Sequence, residues 1–289
     1  MPIRSTFSPI FTSQTLKLVG LQALAVAVYA CLPLWLELRN TADTLLTLPS
    51  NIHAALGIIL GWLLTFRSNV SYARWWEART LWGGLVNTCR NLSVQLSDYV
   101  KISEPARGLC RRVLIGFPFA LRDQLRGQAS LQRVPGFAAT RDQPTHLPSY
   151  LAAQLYEQFR ILKRENVIDG NDLIVLDREA SRLLDICGGC ERIQNTRLIG
   201  SYRTFARQCV VLYLGTFPWG MVHDYGWWAI PLTAVIAYFM IGMETVAENV
   251  ELPFGYDEDD LDLDRLCEVI RESVTEIFER RVGQGTGVS

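Results

Sequence analysis

The stretch Ile58-Ile59-Leu60-Gly61-Trp62-Leu63-Leu64-Thr65-Phe66-Arg67-Ser68-Asn69-Val70-Ser71-Tyr72-Ala73-Arg74-Trp75-Trp76-Glu77-Ala78-Arg79 decides how this chain is read. Its first part is uncharged. Its second part is crowded with Arg67, Arg74, Glu77 and Arg79, and no proline interrupts a helix through both. The uncharged part belongs to a longer run: 23 residues between Asp43 and Arg67 contain no Asp, Glu, Lys or Arg. At 1.5 Å per residue, about 20 helical residues cross the roughly 30 Å hydrocarbon core of a bilayer. Three more such blocks occur: 19 residues between Lys17 and Glu37, 16 between Arg207 and Asp224, and 19 between Asp224 and Glu244. A helix on a soluble protein carries a polar face. Four uncharged blocks therefore predict a membrane protein with four transmembrane helices, against the blander reading of a soluble bundle with four buried helices.

Whole-chain averages conceal this pattern. The 289 residues carry a formal net charge of −1, with 49% hydrophobic and 20% charged residues. That excludes a disordered or collagen-like chain and gives no electrostatic reason to bind nucleic acid. The charges are unevenly placed, however. Residues 67–206 hold 20 of the 28 Lys and Arg residues, while the loop around 37–51 has only Arg39 and the loop between the third and fourth blocks has none. Basic residues collect on the cytoplasmic side. The expected arrangement is a multi-pass protein of the plasma membrane with both termini cytoplasmic. Trp35, Trp219, Trp227 and Trp228 fall near block ends, where an aromatic belt belongs. Cleavage near Val28-Tyr29-Ala30-Cys31, as in a lipoprotein leader, is not expected, because the apolar run is too long for an ordinary signal core.

The expected organisation has four parts: 1–66 with the first two crossings, 67–206 as a cytosolic helical region, 207–244 with crossings three and four, and 245–289 as a cytosolic tail. Within 67–206, helix is predicted over 67–101, 106–126, Tyr150–Glu165 and Asp172–Arg192. Pro118 should kink or split the second, residues 127–148 read as loop, and Asp172 is a candidate cap. A last helix is expected over 262–281. No strand pattern occurs, so the fold class is an all-α membrane protein.

The chain lacks a P-loop, a Gly-x-Ser-x-Gly and a dinucleotide fingerprint. His53, His146 and His223 lie in three different regions, so no histidine-based catalytic or zinc constellation is expected. Cys187-Gly188-Gly189-Cys190 is a lone pair of cysteines with no histidine spaced to complete a zinc site. Thiols packed as small apolar residues is the expectation. Uncharged crossings also argue against proton relays and voltage sensors. What remains is an apolar-lined channel, or a membrane-anchored helical scaffold or enzyme. Four helices cannot enclose a pore alone, so a pore needs several subunits around an axis. Ile58, Trp62 and Phe66, at i, i+4 and i+8, make one apolar stripe. Facing such an axis it would be a constriction able to gate by dewetting; otherwise it is a lipid-facing or core stripe.

Three places resemble the bestrophin family of ion channels, in its bacterial branch. The first is Phe66-Arg67-Ser68-Asn69 followed by Arg74-Trp75-Trp76-Glu77-Ala78-Arg79. The second is Gly188-Gly189-Cys190-Glu191-Arg192-Ile193-Gln194-Asn195-Thr196. The third runs from Arg207-Gln208-Cys209 through Pro218-Trp219-Gly220 and Trp227-Trp228-Ala229-Ile230-Pro231 to Glu251-Leu252-Pro253-Phe254-Gly255-Tyr256-Asp257. The resemblance implies a homopentamer in the bacterial inner membrane. It would pass monovalent ions without a cofactor or enzymatic step, through a pore whose neck is three apolar residues before the signature arginine. Counting back from Arg74 returns Ile58, Trp62 and Phe66, with Trp62 larger than the family's usual residue. A second, cytosolic constriction is implied before the Gly-Gly-Cys-Glu-Arg stretch, with Leu176 first and Ile174 next.

Two departures stand out. Arg197 replaces a usual proline. Tyr256 replaces a carboxylate that animal members carry after Pro253-Phe254-Gly255. The acidic run that follows leaves Asp257 and Asp260 as weak metal candidates only, and weak or absent calcium gating is expected. Chloride and other anions, or monovalent cations, both stay open as the permeant species.

Overall fold

The structure is a computed structural model, and it describes residues 13–39, 50–98, 102–197 and 199–284. The N-terminal residues around Arg4, most of the loop at 37–51 and the tail beyond 284 lie outside the described residues. Among the described residues there is no strand. The helices are α1 Gln14–Leu38, α2 Ser50–Asp98, α3 Glu104–Leu125, α4 Leu147–Arg164, α5 Gly170–Asn195, α6 Gly200–Tyr225, α7 Ala229–Asn249 and α8 Leu263–Gln284. Three stretches are long and apolar enough to cross a membrane: Gln14–Leu38, Asn51–Ser97 and Gly200–Asn249. The third, 50 residues long, contains both α6 and α7, joined by a single 3-10 turn over Gly226–Trp228. Gly226 adopts φ +53° there and ends α6, a backbone state that a Cβ disfavours.

The chain divides into two units. The first holds the described residues up to Trp75, with Arg197–Leu252 and Asp257–Asp259. The second holds the described residues of Trp76–Thr196, Pro253–Tyr256 and those from Asp260 on. In the first unit α1 packs on α7 and α6, and α6 packs on α7. The core there joins Ala23 and Leu34 of α1, Leu60 and Leu64 of α2, Tyr213 and Phe217 of α6, and Ala237 of α7. Polar groups inside this unit find partners across helices. The Trp219 indole N–H donates to the Tyr29 hydroxyl at 2.7 Å, and that hydroxyl donates to the Gly215 carbonyl at 2.8 Å.

In the second unit α3 packs on α4 and α8, and α4 packs on α5. The helices here are amphipathic: Leu151, Leu155, Phe159 and Leu162 of α4 are buried, as are Val113, Phe117 and Leu121 of α3. Of the two outcomes expected at Pro118, splitting does not occur: α3 runs unbroken through it. The expected cap at Asp172 needs correction. The cap of α5 is Asp169, whose carboxylate accepts from the Asn171 and Asp172 amides, while Asp172 reaches back to the Asp169 N–H at 3.0 Å. This is a capping box, and it moves the helix start ahead of Asp172.

Candidate functional site

The neck stripe lies on α2, in the first unit. Leu60 and Leu64 turn inward, 4% and 2% exposed, and fix that helix in the core. Residues two positions away on a helix face the other way. Accordingly Ile58, Trp62 and Phe66 project outward, 76%, 76% and 56% exposed. Such large apolar side chains left bare by their own subunit mark a surface that meets something other than bulk water. Phe66 makes an edge-to-face contact with Tyr202 of α6 at 6.3 Å. Trp62 also lines an apolar cleft of about 260 Å³ with Leu56, Ile59, Phe205, Cys209 and Leu212.

One residue beyond Phe66, Arg67 turns inward and is fully buried against Glu244 of α7. Arg207 of α6 lies 3.6 Å from the same carboxylate and 2.7 Å from Glu248. Four charges on three helices thus balance one another at the end of the uncharged stretch. A buried ion is tolerated only with such pairing. The sequence offered a signal for this: the charges that close the second and fourth uncharged blocks, Arg67 and Glu244, have opposite signs.

The signature residues are structural ties. Arg74 Nε donates to the Glu251 carbonyl at 3.3 Å, and the Trp75 indole N–H donates to the Asp259 carbonyl at 2.9 Å. Trp75 stacks on Tyr72. In the second unit Glu77 pairs with Arg192, and Trp76 is largely exposed. Arg79 lies beside Gly83. Phe254 is buried, and Arg126 donates to the carbonyls of Phe254 and Gly255 at 3.2 and 3.1 Å while its guanidinium covers Tyr256. A Cβ on Gly255 would stand 2.7 Å from an Asp260 carboxylate oxygen, so a larger residue there requires that side chain to shift. The Pro253 carbonyl accepts from the Leu261 amide. Arg126 and Arg122 both bond Asp264. Partial burial pulls that carboxyl up, but the two arginines outweigh it and hold it below the usual carboxylate range.

Of the two residues considered for a cytosolic constriction, Leu176 is 2% exposed and packs in the core of its own unit, whereas Ile174 is 68% exposed. Of the two, Ile174 is the one that its own subunit leaves exposed. Asp257 belongs to the first unit and Asp260 to the second. Several carboxylates of the acidic run already accept hydrogen bonds: Glu258 from the Gln14 amide, Asp259 from Asn249, and Asp262 from the Arg265 amide at the start of α8. Arg197 falls in the link between α5 and α6.

Cys187 and Cys190 are buried as free thiols, yet one histidine lies close to the pair. His146 caps α4, its Nδ1 accepting from the Ser149 amide at 3.1 Å. Its Nε2 lies 2.5 Å from Glu191 of α5, 45 residues on in the sequence. Ligand atoms of His146, Cys187 and Glu191 all lie within 4.8 Å of one another. Burial, then the Glu191 charge, pushes the Cys187 thiol up to about 12. Cys190 is pushed higher still, chiefly by burial. Burial thus disfavours the thiolate form of both cysteines.

Residues 4–276 match the profile of the bacterial and fungal bestrophin family. The chain is 31% identical over 267 residues to a voltage-dependent anion channel-forming protein of Ralstonia nicotianae, covering 90% of this chain and 84% of that one. A like-named protein of Nostoc is 28% identical over 235 residues, 76% of this chain and 75% of the relative. Among solved structures, a substituted form of a bacterial bestrophin homologue from Klebsiella pneumoniae has the same fold. Its TM-score is 0.79 at 22% identity, covering 90% of this chain and 97% of that one. The chain belongs to the bacterial and fungal bestrophin family.

Proposed function

We propose that this protein is a passive ion channel of the bacterial inner membrane, a homopentamer whose α2 helices line a hydrophobic neck. Four crossings per subunit, on α1, α2, α6 and α7, put both termini in the cytoplasm, with the basic middle segment there too. The observation that carries the reading is the bare apolar ladder Ile58, Trp62 and Phe66, set on a helix whose opposite side is locked in its own core. Five such ladders around an axis make a dry constriction that binds no ion tightly, which suits fast passage of small monovalent ions. Ile174 on α5 is the residue for a second, cytosolic constriction. The relatives' names favour anions as the permeant species. No step calls for a cofactor or an enzymatic group.

The test is a reversal potential in planar bilayers holding the purified protein, under a gradient of potassium chloride. A current reversing near the chloride equilibrium potential is expected. Reversal near the potassium potential would keep the channel and overturn the anion preference. No current at any potential would overturn the channel itself and favour an anchored scaffold.

A further inference from the structure

The second unit brings three metal-binding side chains together from two helices. Cys187 and Glu191 stand at i and i+4 on α5, the spacing that aims two side chains at one point on a helix face. His146 comes to the same point from the start of α4, with its imidazole edge turned to Glu191. The thiol is buried, while the imidazole and the carboxylate are each about a third exposed, 35% and 31%, which leaves a path from solvent. Thiolate, imidazole and carboxylate are the ligand types of zinc, and mutual spacings below 4.8 Å suit a tetrahedral ion after small side-chain shifts.

We propose that His146, Cys187 and Glu191 form a three-ligand site for a divalent transition metal of the zinc class, with water in the fourth position. In the metal-free arrangement the imidazole proton sits on Nε2, toward Glu191, because Nδ1 accepts from the Ser149 amide. Metal capture at Nε2 moves that proton to Nδ1 and releases the thiol proton to solvent. The Ser149 cap is given up, a small loss beside three metal–ligand bonds. Occupancy thereby loosens the first turn of α4 while tying α4 to α5. The inference is independent of ion conduction.

Cobalt(II) titration of the full-length protein in detergent tests it. The expected result is a thiolate-to-cobalt charge-transfer band with the visible bands of a tetrahedral ion, displaced by zinc. Cys187→Ser should abolish the band, and Glu191→Gln should weaken binding by about tenfold or more. His146→Asn is the informative variant, because Asn also caps a helix well. It should keep the thermal midpoint of the metal-free protein yet lose the rise in midpoint that zinc gives the wild type. Absence of the band at millimolar cobalt, its persistence in Cys187→Ser, or an equal zinc effect in His146→Asn would each overturn the site.

Discussion

The two units of this chain use the same kind of element, a helix, in opposite ways. In the first, Leu21, Leu24 and Val28 of α1 and Val211 and Leu212 of α6 are exposed, and the core is thin. In the second, the helices bury leucines and phenylalanines along one face and turn charge outward, as Arg160 and Glu157 of α4 do. A helix with bare apolar flanks is unstable in water and stable in lipid, so the two units are built for two solvents. Two ion pairs differ in the same sense. Arg67 and Glu244 in the first unit are sealed, 0% and 9% exposed, whereas Asp264 in the second, 57% exposed, meets two arginines that are 14% and 7% exposed. A sealed charge that loses a partner is costly, whereas a pair with one exposed member is partly screened.

That difference can be pressed. The largest effect is expected at the sealed pair. Arg67→Met alone leaves the Glu244 carboxylate buried with one cation fewer, and about 3–5 kcal/mol of stability should be lost. Arg67→Met combined with Glu244→Leu should recover most of it. Thermal unfolding of the two variants in detergent measures this, and equal losses in both would show that the charges do not depend on each other. A smaller effect separates the two solvents. Leu24→Lys, 59% exposed on α1, should cost about 3 kcal/mol of insertion free energy at a helix centre. Leu184→Lys, 37% exposed on α5, should cost only about 1 kcal/mol of stability. Comparable costs at both positions, read from membrane insertion and thermal unfolding, would erase the distinction between the units.

Much of this was legible beforehand, for identifiable reasons. Uncharged blocks announced α1, α6 and α7, and the absence of proline after Phe66 announced the unbroken α2. That Ile58, Trp62 and Phe66 share one face followed from helical period; that this face points outward rather than into the core came only from packing. What stayed hidden depends on tertiary packing. Leu176 and Ile174 are both apolar and two residues apart, and only the packing of α5 decides that Leu176 goes inside. The cap at Asp169 rather than Asp172 turned on which of two aspartates leaves the helix, a choice made by backbone geometry. His146 reaches Glu191 across 45 residues because α4 and α5 pack together, and no local spacing encodes that. The Cys187 and Glu191 spacing was the one available hint.

In the proposed channel, Ile58, Trp62 and Phe66 ring the pore. Single-channel conductance of the triple variant Ile58→Ala, Trp62→Ala, Phe66→Ala, compared with the wild type in the same bilayer, tests it most directly. Removing three bulky apolar side chains from each subunit should widen and wet the neck and raise the conductance severalfold. An unchanged conductance in a variant that still assembles would contradict the account and return the stripe to the lipid.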